Sequence, residues 1–431
     1  MTTTAPRRRT RLHPAWAVAA VAFVALLGAA GFRAAPGVLI VPLHDEFGWS
    51  TSLMSTAVGV NLVLYGLTAP FAAALMDRFG VRRVAATALV LVALGSGLTL
   101  WMTAAWQLVL LWGVLIGLGT GSMALVFAAT IANRWFVQKR GLVMGILTAA
   151  GATGQLVFLP VMAVLADTVG WRGASLTVAV AALAVVPLVL LVMRDRPQDL
   201  GLRPYGAADD VPDPPPPDPS GAARRAVRAL REASRTKTFW ALAVGFAICG
   251  ATTNGLVGTH FIPSAHDHGM PQTTAAGLLA VVGIFDIVGT IASGALTDRI
   301  DPRYLLVGYY VFRGVGLAVL PFLLSDVIRP SIVVFVVIYG LDWVATVPPT
   351  AALCREAFGE SGTLVFGWVF ASHQVGAAIA SVVAGVVRDT TGEYTFAWFG
   401  AAGLCAVAAF VSLAVRRTGT VVAVPQVEPP R

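Results

Sequence analysis

Charge is what this 431-residue chain has least of. Asp, Glu, Lys and Arg make up 12% of it, while 57% is hydrophobic and the mean hydropathy is +0.78. An ordinary soluble chain carries about 25% charged residues, so a large soluble helical protein is excluded. Cysteine is scarce too. Cys249, Cys354 and Cys405 are odd in number and lie in or beside apolar stretches, which suits small packing residues and not a disulfide framework or a metal site. There is no nucleophile–base pair and no metal triad. The glycine run Gly117-x-Gly119-x-Gly121 has no strand before it, so it reads as helix packing and not as a nucleotide loop. No enzyme, cofactor or metal is expected, and any work across a membrane has to draw on a gradient.

What the chain does have is twelve apolar stretches, each long enough to cross a bilayer as a helix. They cover 15–41, 52–76, 84–103, 107–132, 142–166 and 172–193, then 239–263, 274–297, 304–325, 330–353, 364–387 and 394–415. The expected fold is an all-α membrane protein with two pseudo-symmetric six-helix bundles. With the N-terminus in the cytoplasm, 25 of the 30 Lys and Arg residues fall on the cytoplasmic side. Three, Arg172, Arg329 and Arg388, fall on the other. That split is a strong positive-inside signal, and both termini are expected in the cytoplasm. The net charge of +8 follows from this bias and does not point to nucleic acid. The basic run Arg7 to Arg11 precedes a stretch too long for a signal peptide, so that stretch reads as the first membrane helix.

The domain division is a tail at 1–14, a bundle at 15–193, a linker at 194–237, a second bundle at 238–415 and a tail at 416–431. The linker holds Asp213-Pro214-Pro215-Pro216-Pro217-Asp218-Pro219, which cannot build a helix or a core. After it, Ser220 is placed to cap a basic helix carrying Arg224, Arg225, Arg228, Arg231 and Arg235 among Ala223, Val227 and Leu230. Such a helix is expected to lie on the inner membrane surface. The bundles repeat at a nearly constant offset. Asp77-Arg78 recurs as Asp298-Arg299, Phe136 as Phe358, and Gly145 and Gly154 as Gly367 and Gly376.

Ala73-x-x-x-Asp77-Arg78-Phe79-Gly80-Val81-Arg82-Arg83 resembles the signature loop of the major facilitator superfamily, with Ala73 in place of its first glycine. Gly294-x-x-x-Asp298-Arg299 is similar to the second copy. The resemblance implies a cytoplasmic gate built from Asp77, Arg78, Arg82, Arg83, Asp298 and Arg299, in which the Asp caps a helix end and pairs with arginine. Four shorter runs are similar to bacterial relatives of the monocarboxylate transporters and oxalate/formate antiporters. They are Phe47-Gly48-Trp49-Ser50, Trp135-Phe136 with Lys139-Arg140-Gly141, Gly170-Trp171-Arg172, and Asp199-Leu200-Gly201-Leu202-Arg203-Pro204-Tyr205-Gly206.

Four charged residues fall inside the apolar stretches: Arg33, Asp286, Arg313 and Asp342. Ions there are costly and are usually paired or functional. Asp286, Arg313 and Asp342 lie at similar depth, so Arg313 is expected to bridge one or both aspartates as a structural ion pair. The aspartate it leaves is the candidate proton carrier, and Asp286 is preferred over Asp342. Arg33, in the outer half of the first stretch, is the candidate carboxylate clamp. The monocarboxylate transporters carry an arginine four residues after the Asp286 position, and Thr290 stands there in this chain. The family's anion clamp is therefore removed or relocated. His373 replaces Gly151 of the repeat and is a substrate or proton candidate. Gln374, Tyr65 and Asn254 complete the candidate substrate site. His260, His266 and His268 with Asp267 read as a loop-exposed cluster.

The reading is a secondary transporter working by alternating access. Its cargo is a small organic solute, a carboxylate or other organic anion, coupled to protons or a counter-solute. Partners are that solute and the lipid bilayer, with no nucleic acid, and a monomer is expected in the cytoplasmic (inner) membrane. The nearest rival, a drug or hydrophobic-metabolite exporter, lacks its usual Gly-Pro pair because glycine does not precede Pro160. A membrane-embedded sensor or enzyme is the remote rival.

Overall fold

A computed structural model describes residues 13–207 and 219–415. The N-terminal arginines, the polyproline run and the C-terminal arginines lie outside them. Among the described residues the chain is helical almost throughout and forms no sheet. Spans one to six are Pro14–Phe47, Thr51–Phe79, Val81–Trp101, Ala105–Trp135, Arg140–Thr168 and Trp171–Val192. Spans seven to nine are Lys237–Asp267, Gln272–Thr297 and Pro302–Leu323, and span twelve is Thr395–Leu413. The helical run Pro330–Thr391 holds two crossings, because the chain reverses at Gly359. Gly359 has φ +54° and ψ −126°, a conformation that favours a residue without Cβ. Span ten is therefore 330–358 and span eleven Gly362–Thr391. With twelve crossings, both ends of the described chain lie on one face, called here the termini face. The opposite face is the far face.

Short polar residues set several helix starts. The Ser50 Oγ accepts from Leu53 N (3.3 Å), the Thr236 Oγ1 from Phe239 N (3.2 Å) and the Asp301 carboxylate from Arg303 N (3.0 Å). Each satisfies a first-turn N–H that the helix cannot.

The repeat seen in the sequence is also a repeat of contacts. Gly154 of span five lies against Ala30 and Leu27 of span one, and Gly376 of span eleven lies against Ala247 of span seven. In span four, Gly113, Gly117 and Gly121 stand four residues apart against Val60, Asn61 and Tyr65 of span two. A Cβ on Gly121 would stand 2.9 Å from the Tyr65 Cα, so only glycine allows this approach. Spans eight and ten meet in the same way at Gly289 and Gly340.

The four short motifs dock on one another in pairs. Glu46 binds Arg172 through both oxygens (2.6 and 2.9 Å) and accepts from the Trp171 indole (2.6 Å), while Phe47 stacks on Trp49. On the termini face, Tyr205 pairs its backbone with Trp135 and Val137, and its ring meets those of Trp16 and Phe136. Each docking ties two loops of the first bundle.

The linker helix is Pro219–Ala233. It starts one residue before Ser220, which therefore lies in its first turn and does not precede the helix. Its buried side is Ala226, Ala229 and Ala233, whereas Ala223 and Val227 are exposed. Its alanine side faces protein. Its small residues let it seat on spans two and eleven, one from each bundle, and the Trp368 indole donates to the Ala226 carbonyl at 2.9 Å.

Candidate functional site

Span ten breaks between Asp342 and Val347. A break inside a membrane frees backbone groups that no water can satisfy, and side chains from three neighbouring spans meet them here. Arg313 of span nine donates from Nη2 to the carbonyls of Asp342 (2.7 Å) and Trp343 (3.3 Å). Its Nε donates to the Asp342 Oδ2 at 2.6 Å. Asp286 of span eight accepts the Val344 N–H at 3.1 Å. The Ser293 hydroxyl, also from span eight, donates to the Ala345 carbonyl at 2.5 Å. From span seven, Cys249 contacts Thr346 (3.1 Å) and accepts from the Arg313 Nη1 (3.0 Å). Cys249 is thus part of a polar network and is more than filler.

Arg313 and Asp342 are 1% and 5% exposed, a fully desolvated pair. Asp342 Oδ1 is buried with no partner among the described residues. Asp286 forms no ion pair among the described residues. Its Oδ1 instead accepts from the Thr290 hydroxyl at 3.1 Å, so the residue that replaces the expected arginine is a neutral donor to it. The geometry gives Arg313 to Asp342 and leaves Asp286 outside the ion pair.

At the contact between the bundles, Tyr65 of span two meets Phe370 of span eleven edge-on (5.9 Å). His373 lies between Phe370 (5.9 Å, parallel) and Phe246 of span seven (4.8 Å). Gln374, next in sequence, faces Gly66 of span two, and both its amide atoms are buried without partners among the described residues. Asn254 lies in a widened π-helical turn of span seven, Ala251–Val257. Arg33 lies on span one, and its side chain is outside the described residues.

The far face is sealed between bundles. The Asp389 carboxylate of span eleven accepts the N–H groups of Thr51 (3.0 Å) and Ser52 (2.8 Å), the first two residues of span two. A negative group suits a helix start. Gly37 of span one stands against Gly258 and Ile262 of span seven. His260 is not loop-exposed: it is fully buried, donates from Nε2 to the Ser381 carbonyl (2.9 Å) and touches Ser55 and Tyr394. Asp267 pairs with Arg388 at 2.7 Å, and His268 bonds the Ser264 carbonyl, so these residues finish helix ends.

On the termini face the two loop copies differ. Asp77 pairs with Arg134 at the end of span four. Asp298 and Arg299 are exposed and have no partner among the described residues. Arg78 lies over the Phe79 ring, and the Arg82 N–H donates to Asp195 at 2.9 Å.

Arg134, Cys249 and Asp389 escaped the sequence reading. The repeat offset could have found two of them. Arg134 is the counterpart of Arg355, and Asp389 of Asp167.

The family model of the Major Facilitator Superfamily matches residues 21–380. The chain is 26% identical to the "Uncharacterized MFS-type transporter YcxA" of Bacillus subtilis over 90% of this chain and 91% of that one. It is 28% identical to monocarboxylate transporter 13 of Rattus norvegicus over 88% and 84%. In structure it is similar to the xylose transporter XylE from E. coli in a partially occluded inward-open conformation. That likeness has a TM-score of 0.69 at 15% identity, covering 94% of this chain and 98% of that one. A bacterial homolog to the human lysosomal transporter Spinster, inward-facing and occupied, gives a TM-score of 0.68 at 14% identity, covering 93% and 96%.

Proposed function

This chain belongs to the major facilitator superfamily, and from that premise we propose that it carries a small organic anion, a carboxylate, across the cytoplasmic membrane in exchange for the energy of a proton gradient. The termini face is the cytoplasmic face in this reading, on the arginine count. A closed far face then means that the described state is not outward-open. The cargo class rests on the likeness to monocarboxylate transporters and on Arg33, an intramembrane guanidinium with a planar fork suited to a carboxylate. Tyr65, His373, Gln374 and Asn254 are the proposed contacts for the rest of the solute, and Asp77, Arg78, Arg82, Arg83, Asp298 and Arg299 the cytoplasmic gate.

One observation carries the coupling. Asp286 holds the backbone of the span ten break yet forms no ion pair among the described residues, since Arg313 is engaged with Asp342. Taking up a proton would weaken that acceptor and loosen the break, which links proton binding to the movement of span ten. Asp342, tied to Arg313, is the second candidate. Asp286→Asn keeps a carbonyl acceptor for Val344 and removes the titration. It is expected to abolish pH-driven accumulation in vesicles while solute exchange continues. Accumulation that survives in Asp286→Asn overturns the assignment.

Arg33→Ala is expected to lose anion binding and Arg33→Lys to keep part of it, read by uptake of a carboxylate panel. Hydrophobic cations transported in place of carboxylates would favour an exporter instead.

A further inference from the structure

On the termini face, the loop between spans two and three, the end of span four and the segment after span six enclose a cavity of about 610 Å³. Five arginines line it: Arg78, Arg82, Arg83, Arg134 and Arg196. Three aspartates oppose them, and each is engaged. Asp77 holds Arg134, Asp195 accepts the Arg82 backbone N–H (2.9 Å) and Asp199 accepts that of Arg196 (2.9 Å). Two carboxylates are thus bound to backbone, which leaves the guanidinium groups in excess. Arg82 Nε is buried and has no hydrogen-bond partner among the described residues. A buried donor without an acceptor is a standing cost, and arginines are well suited to the oxygens of a phosphate. Beside the arginines the cavity carries Phe79 and Leu190, both well exposed and apolar.

We infer that this cavity binds the phosphate of an anionic phospholipid headgroup from the inner leaflet, with the acyl chains against Phe79 and Leu190. Basic pockets between helices on the cytoplasmic side are suited to such headgroups. The leaflet, though not the binding, rests on the orientation proposed above.

The test is thermal unfolding of the full chain in detergent, titrated separately with phosphatidylglycerol, phosphatidylcholine and inorganic phosphate. Phosphatidylglycerol is expected to raise the melting temperature, and phosphatidylcholine to leave it unchanged. Arg82→Gln and Arg196→Gln should each weaken the apparent affinity roughly five-fold. Arg225→Gln with Arg228→Gln, on the exposed side of the linker helix, should not. If Arg82→Gln fails to fold, Arg196→Gln carries the test, because the bond from the backbone N–H of residue 196 to Asp199 does not depend on the side chain there. An arginine-dependent shift with inorganic phosphate alone would overturn the lipid assignment in favour of a soluble phosphate. Equal responses from the native chain, the cavity variants and the linker-helix control would overturn the site.

Discussion

The fourth helix of each bundle breaks at the same place in the repeat, and the two breaks are mended differently. In span four the chain turns at Met123 and Ala124, and their N–H groups return to the carbonyls of Thr120 (3.0 Å) and Gly121 (3.4 Å). The mending is local and neutral. In span ten the corresponding turn makes local returns of the same kind, Trp343 N–H to Gly340 (3.1 Å) and Ala345 N–H to Asp342 (3.3 Å), and is held in addition by Arg313, Asp286, Ser293 and Cys249 from three other helices. The first bundle relies on glycines that let backbones touch, and the second adds ionisable groups to the same scheme. One architecture can therefore supply a stiff wall and a titratable one. The difference lies in a few side chains and not in topology.

The comparison breaks most sharply at Arg313. Arg313→Ala leaves the Asp342 carboxylate buried and alone, which should cost about 3–5 kcal/mol and lower the melting temperature. Adding Asp342→Asn should restore part of that loss, and a double variant no more stable than Arg313→Ala would show that the pair does not hold the break. Next in size is Asp389→Ala, which removes a charged acceptor from two N–H groups of span two. At about 1.5–3 kcal/mol for a hydrogen bond to a charged group, the far face should open more often. Spin labels placed across that face should report a longer distance, and an unchanged distance distribution would discount the seal. Gly121→Ala probes the glycine wall. Its Cβ meets the Tyr65 backbone, so a loss of about 1–3 kcal/mol is expected, against none for Gly145→Ala, where the space is open. The smallest effect belongs to Asn61→Ala. It loses one neutral bond from the Asn61 amide to the Trp112 carbonyl (2.7 Å), worth about 0.6 kcal/mol on average within membranes. A loss as large as that of Arg313→Ala would erase the contrast between bundles.

The spans were legible because hydrophobic length is a one-dimensional signal, and the described helices depart from the sequence limits by six residues at most. The repeat was legible through Gly154 and Gly376, because both positions touch equivalent neighbours. What the sequence could not reveal was direction. Ala226, Ala229 and Ala233 are as apolar as Ala223, and only the presence of spans two and eleven decides which side is covered. His260 looked like a loop residue because it stands near Asp267, yet nearly two helical turns carry it into the protein. The choice of Asp342 over Asp286 as the partner of Arg313 depends on where span ten breaks, and the one local mark of that break, Pro348-Pro349 in the first turn of the resumed helix, does not say which aspartate faces Arg313. The four weak motifs were easy to list and hard to interpret, since their partners lie up to 126 residues away.

The seat of the linker helix has a mechanical consequence. Its contact side is alanine at every buried turn, Ala226, Ala229 and Ala233, and alanine presents a nearly smooth track. A helix resting on two bodies that tilt against each other must slide on at least one of them. Large interlocking side chains would make it a ratchet with a threshold at each tooth. The Trp368 indole ties this helix to span eleven, so the row of methyl groups acts as a bearing on the side of span two.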